Sequence, residues 1–172
     1  YLEGPASDMS IFEGLPVTFG PLAGARGVVM TQLKDGSTET AEDYRPLLEV
    51  MRAAGQVFVC GNADRIVDHG GRRYVCPGAV ADLHEAMGGE VVWCGKPYRP
   101  IYDLAFAALG HPKPERVLAI GDGLATDVAG AEAMGIDVFF VTDGIHAAEI
   151  DDLSAVAARH PRMVGLAGRF SW

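Results

Sequence analysis

The sequence predicts an α/β fold built around parallel strands, and three observations carry that expectation. Short apolar runs alternate with segments of helical spacing along the 172 residues, and parallel strands need crossover helices of this kind. Two of the runs, "VLAI" at 117–120 and "VFFV" at 138–141, are apolar at every position, which suits strands covered on both faces. Proline and glycine punctuate the alternation at element starts and ends. The two apolar runs are expected to be parallel neighbours in one sheet.

The elements come in order along the chain. "RGVVMTQL" (26–33) reads as a strand. "STETAEDYRPLLEVMRAAG" (37–55) reads as a helix with a Ser/Thr cap, acidic residues in its first turn, apolar Leu47, Leu48 and Met51, and a terminal Gly55. Pro46 fits only the first turn of a regular helix, so the helix is expected to start there. "QVFVC" (56–60) is a buried strand, and "GNADRIVDHGGRR" (61–73) a polar, glycine-bearing loop. "PGAVADLHEAMGG" (77–89) is a helix opened by proline and closed by glycines, followed by the strand "EVVWC" (90–94). "YRPIYDLAFAALG" (98–110) is a helix whose Ile101, Leu104, Ala105 and Ala108 share a face. "RVLAIGD" is a strand, "LATDVAGAEAMG" (124–135) a short helix, "DVFFVTDG" a strand and "HAAEIDDLSAVAARH" (146–160) the last helix.

Composition excludes several classes. A net charge of −9 without a Lys/Arg block argues against a nucleic-acid partner. No apolar run approaches the roughly eighteen residues of a membrane span, and the N-terminus has no signal-peptide pattern, so no membrane partner is expected. The chain starts without Met and is expected to begin inside a longer protein. Cys60, Cys76 and Cys94 form no CxxC pair and read as thiols of a reducing, cytoplasmic compartment.

Chemistry concentrates in "VLAIGDGLATDVAGA" (117–131). Ligands of an open parallel sheet bind outside the carboxyl ends of its strands, and Asp122 falls at such an end. Asp127 falls in the first turn of the next helix, where the dipole favours a carboxylate. Two carboxylates there suit a hard cation, Mg²⁺ being the natural guest. The competing reading is a helix cap and a solvated acid. A dinucleotide fingerprint lacks its last glycine, a thiamine-diphosphate motif lacks its downstream Asn, and a receiver domain would spread its acids over earlier strands. "GKP" (95–97) follows another strand, so Lys96 is expected at the same sheet edge as Asp122, where Lys and Mg²⁺ together clamp a phosphoryl group.

GKP, then a helix, then a strand ending in GDGLATD (121–127) resembles the haloacid dehalogenase superfamily, in particular subfamily IIA, whose C2-type cap is found in NagD-like sugar phosphatases and pyridoxal phosphatase. The likeness covers most of the chain. "YLEGP" resembles the core strand end before the cap, "VFVCGNAD" the cap's Asn-Pro-Asp loop with Ala63 in place of proline, and "PGAVADLHEAMGGEV" the next cap helix. The resemblance implies a partial Rossmann-like core plus an α/β C2-type cap: residues 1–13 as core strand end and linker, 14–92 as cap, and 93–172 as the C-terminal half of the core. It implies that Lys96, Asp122 and Asp127 are catalytic, that Asp122 and Asp127 serve a Mg²⁺ site, the latter indirectly, and that Asn62, Asp64 and Arg65 face a small phosphorylated metabolite.

The family's chemistry begins with an Asp-x-Asp-Gly nucleophile segment N-terminal to the cap, and this chain does not contain one. The nearest imitation, "TQLKDGST", has Leu33 in the nucleophile's place, and Asp35 there reads as a turn residue. Two functional classes stay open. One is Mg²⁺-dependent hydrolysis of phosphate monoesters through an aspartyl-phosphate, with this chain inactive alone and completed by a missing N-terminal half or another chain. The other is a non-catalytic binding or regulatory module. An apolar edge beside "VLAI" or "YLEGP" would favour a homo-oligomer or coverage by that missing half.

Overall fold

The structure, a computed structural model, describes residues 1–143 and 152–168. The chain divides into two compact units, Tyr1–Gly95 and Lys96–Trp172.

In the first unit, strand β1 (Leu2–Glu3) and a 3₁₀ segment (Ala6–Phe12) precede β2 (Gly27–Met30). A 3₁₀ turn (Ala41–Tyr44) leads into helix α1 (Arg45–Ala53), then β3 (Val57–Cys60), β4 (Ile66–His69), β5 (Arg72–Val75), helix α2 (Pro77–Ala86) and β6 (Val91–Trp93). The main sheet has the order β1-β2-β3-β6, with every pairing parallel. Strand alternation turns Val28, Met30, Phe58 and Cys60 inward, where they meet Leu48 and Met51 of α1 and Val80 and Ala81 of α2. The entry to α1 is set locally: the Asp43 carboxylate accepts from the Thr40 N–H at 2.7 Å and from its hydroxyl at 2.8 Å, and Pro46 lies in the first turn.

The expected loop at 61–73 is instead mostly a hairpin. β4 and β5 pair antiparallel, Ile66 opposite Val75 and His69 opposite Arg72. Gly70 and Gly71, at φ +60° and +73°, make the left-handed turn that such a hairpin requires.

The second unit contains α3 (Arg99–Ala108), β7 (Leu118–Gly121), a π-helical turn (Leu124–Val128), α4 (Ala129–Met134), β8 (Asp137–Val141), α5 (Leu153–Arg159) and β9 (Met163–Ala167). Its sheet runs β7-β8-β9, all parallel. "VLAI" and "VFFV" are thus parallel neighbours, with Leu118 opposite Asp137 and Ile120 opposite Phe139. The core here is Val128, Ala131, Ile136, Val138 and Phe140, with Tyr102 and Phe106 of α3 packed against it. Part of the expected last helix, 146–151, lies outside the described residues.

Three expectations are corrected. Coverage of β7 on both faces does not hold: Leu118 is 51% exposed and Ile120 43%. β7 is the edge strand of its sheet among the described residues, and the buried cluster lies on one side only. The expected apolar face of α3 is the exposed one: Leu104 is 68% exposed, Ile101, Ala105 and Ala108 are exposed too, and Tyr102 and Phe106 point to the core instead. The expected common sheet edge for Lys96 and Asp122 does not hold either: β6, which precedes Lys96, belongs to the sheet of the first unit, and β7, which precedes Asp122, to that of the second. Strand β9 has no counterpart among the expected elements. No helix among the described residues is long and apolar enough to cross a membrane.

His84 of α2 is fully buried, and neither ring nitrogen has a hydrogen-bond partner among the described residues. Its ring lies 5.8 Å from that of Phe58 and fills the space where a Cβ on Gly89 would stand. Burial lowers its pKa, opposed by the nearby Glu85 charge. The unfolded chain therefore takes up the proton first on acidification. Stability is complete above the unfolded value of about 6.5 and falls below it, by at most about 1.4 kcal/mol per pH unit. Urea unfolding of the wild type between pH 7.5 and 5 should show this loss, and His84→Phe should reduce the slope. An unchanged slope would remove His84 as its source.

Candidate active site in the second unit

The site is built on the turn between β7 and α4. Gly121 ends the strand, and the chain winds through one π turn, with the N–H of Asp127 donating to the Gly123 carbonyl at 2.9 Å and that of Val128 to the same oxygen at 3.0 Å. Such i→i+5 turns are rare and concentrate at functional sites. The wide turn folds the Asp127 carboxylate back over the strand end. Its Oδ2 accepts from the N–H groups of Asp122 (3.2 Å) and Gly123 (3.0 Å).

The other oxygen faces Lys96. The Lys96 ammonium donates to Asp127 Oδ1 at 2.6 Å. The pair is asymmetric: the Lys96 side chain is half-exposed, whereas Asp127 is buried, at 8%. Lys96 is thus anchored by Asp127 while half of its side chain stays exposed, an arrangement in which an ammonium can meet an incoming anion. The Lys96–Pro97 peptide is cis.

Sterics fix the glycines of this turn. A Cβ on Gly121 would fall on the carboxyl group of Asp127, and one on Gly123 on the Thr126 hydroxyl. Position 121 thus excludes alanine because the Asp127 grip occupies the room, and a side chain at 123 would have to move the Thr126 hydroxyl.

The structure accordingly brings Lys96, Asp122 and Asp127 together at the carboxyl end of β7. The described residues hold no group of three or more His, Cys, Asp or Glu arranged for a metal ion. Two carboxylates are hard oxygen donors, which fits a hard divalent cation as part of a larger shell. Both oxygens of Asp127 are already engaged, so its fit is indirect.

Asn62, Asp64 and Arg65 occupy one loop of the first unit, after β3. Asn62 Oδ1 accepts from the Asp64 N–H at 3.0 Å, and the Asp64 carbonyl accepts from Gly78 at 3.0 Å. Arg65 is engaged inside this unit: it donates to both Asp82 oxygens at 2.9 and 2.7 Å and to the Ala63 carbonyl at 2.8 Å, and it stacks 4.9 Å from the Trp93 ring. These contacts make Arg65 a pin for the loop. A cavity of about 500 Å³ in the same unit, lined by Tyr1, Phe12, Phe19, Val29 and Val59, includes none of these three residues.

Sequence reasoning missed Tyr102 and Gly130. Tyr102 is half-buried beside the pair; burial raises its phenol pKa, the Asp127 charge raises it further, and Lys96 opposes. The small residues after Asp127 are the signal that could have found them.

Comparison with known proteins gives the site a context. The HAD-hydrolase-like family model matches residues 93–165. Among curated proteins, none matches this sequence. The structure is similar to a hydrolase of the haloacid dehalogenase-like family from Brucella suis 1330, with 39% identity and a TM-score of 0.77, over 87% of this chain and 59% of that one. It is also similar to 4-nitrophenylphosphatase from Thermotoga maritima (21%, TM-score 0.73, 98% and 61% covered) and to p-nitrophenyl phosphatase from Archaeoglobus fulgidus (23%, TM-score 0.62, 85% and 54%). The last two likenesses show the fold alone. The chain spans less than two thirds of each of these proteins.

The grip on Asp127 is testable through stability. Gly121→Ala and Asp127→Asn are each expected to lower the unfolding free energy by about 1.5–3 kcal/mol, the range for hydrogen bonds to a charged group. The half-exposed Lys96 puts the effect toward the lower end. Urea titration measures it, and unchanged midpoints for both variants would show that the grip contributes nothing.

Proposed function

Since the chain belongs to the haloacid dehalogenase superfamily and is consistent with its subfamily IIA, we propose that the protein hydrolyses small phosphate monoesters, with a divalent cation, Mg²⁺ by preference. The observation that carries the reading is the half-exposed Lys96 held by Asp127 beside Asp122. In this reading residues 93–172 are the C-terminal half of the core, residues 14–92 the C2-type cap, whose Asn62, Asp64 and Arg65 face the substrate, and residues 1–13 a core strand end and linker.

Lys96 binds a phosphoryl oxygen and keeps it in line for attack. Asp127 fixes the ammonium so that no reorganisation is needed as charge shifts in the transition state. Asp122 would hold the cation, with Asp127 supporting it through the turn. The chemistry such an ion supplies when bound is neutralisation of charge on the phosphoryl oxygens. The 172 residues contain no Asp-x-Asp-Gly, so we assign the attacking carboxylate to the remainder of the protein. This segment alone then has no turnover: without a nucleophile, positioning by Lys96 has nothing to act on.

The test uses the full-length protein with p-nitrophenyl phosphate and Mg²⁺. Wild type should turn over, and Lys96→Ala should lose about 10²–10³-fold in kcat, as for one oxyanion donor. Asp122→Ala should abolish metal-dependent activity, and the 172-residue segment should be inactive. Failure of the full-length wild type on a panel of phosphate monoesters would favour a non-catalytic binding module. Metal-dependent turnover by the purified segment, lost in Asp122→Ala, would instead mean that the machinery is misplaced here.

A further inference from the structure

We propose that Tyr102 is a positioning residue and Gly130 its seat, together setting the distance at which Lys96 meets Asp127. Lys96 stands three residues before α3, and Asp127 lies two residues before α4. The spacing of these two helices therefore sets the spacing of the pair. At the contact, the hydroxyl and ring of Tyr102 occupy the place where a Cβ on Gly130 would be. Gly130 is buried inside a helix, where glycine costs about 1 kcal/mol relative to alanine. The absent side chain is thus room for the tyrosine.

The same ring reaches the pair electrically: the charges of both Asp127 and Lys96 act on the Tyr102 phenol. It also packs against the buried cluster of Val128, Ala131, Ile136, Val138 and Phe140. The side chain is a spacer whose hydroxyl end stands against Gly130 of α4. Neither residue touches a reacting atom. Their effect on chemistry runs through Lys96, and that part of the inference rests on the phosphate role proposed above.

The experiment uses the full-length protein and two readouts. The first is reductive methylation of lysines, followed peptide by peptide by mass spectrometry, with the exposed Lys113 as the reference. Gly130→Ala should displace the ring, loosen the pair and raise the Lys96 labelling rate several-fold over Lys113. Tyr102→Phe keeps the ring but loses the hydroxyl nearest Gly130, and should raise the Lys96 labelling rate less than Gly130→Ala does. In a Tyr102→Ala background, Gly130→Ala should change nothing further. The second readout is turnover, where Gly130→Ala should cost on the order of 100-fold, as for a misplacement of about 1 Å, and more in kcat than in KM.

Unchanged Lys96 labelling in Gly130→Ala would overturn the inference, as would an equal effect of Gly130→Ala with and without the tyrosine. If Gly130→Ala does not fold, folding of the Tyr102→Ala, Gly130→Ala double variant supports the seat, and its failure to fold overturns it. A wild type that labels as expected but has no phosphatase activity refutes the proposed function and leaves the spacer standing.

Discussion

The second unit is organised around one buried carboxylate. At 8% exposure the Asp127 carboxylate needs partners, because an unpaired buried charge costs several kcal/mol. It takes three: the Lys96 ammonium and the N–H groups of Asp122 and Gly123. Each partner imposes a condition on the chain. The two amides require the turn to open into a π turn, and the carboxylate's bulk excludes side chains at 121. The ammonium ties the segment before α3 to the start of α4. A single acid thereby links the strand end, the turn and two helices.

Much of this is legible in the sequence because spacing carries it. GKP and GDGLATD each follow an apolar run and single out Lys96, Asp122 and Asp127, but β6 lies in the first unit's sheet and β7 in the second's, so the Lys96–Asp127 contact, and not a shared sheet edge, joins them. Features that spacing does not carry are less legible. β4 and β5 are largely exposed, so their residues read as loop, although Gly70-Gly71 is a hairpin signal. On α3, helical periodicity selects Ile101, Leu104, Ala105 and Ala108. The core instead takes Tyr102 and Phe106, also four apart, and nothing local distinguishes the two faces. The π turn and the seat of Tyr102 at Gly130 exist only through tertiary packing.

The first unit holds its loop by comparable means. Ala63 is 2% exposed, Cys60 Sγ donates to the Asn62 carbonyl at 3.1 Å, and Asn62 closes a side-chain turn on Asp64. A Cβ on Gly78 would strike the Ala63 and Asp64 carbonyls. Alanine in place of the proline expected by resemblance therefore leaves a defined loop, because its shape is imposed by its packing partners. Arg65 contributes from outside the turn, through Asp82 and Trp93.

The glycines within α2 and α4 also narrow how the protein can be engineered. Replacing a helical glycine by alanine is a common route to a more heat-resistant variant, since it removes freedom from the unfolded chain. At Gly78 and Gly130 that route is closed, because the added methyl would displace the loop that carries Asn62 or the ring that lies beside Lys96. A thermostabilised form has to find its gains on solvent-facing helix positions instead, such as those of α3.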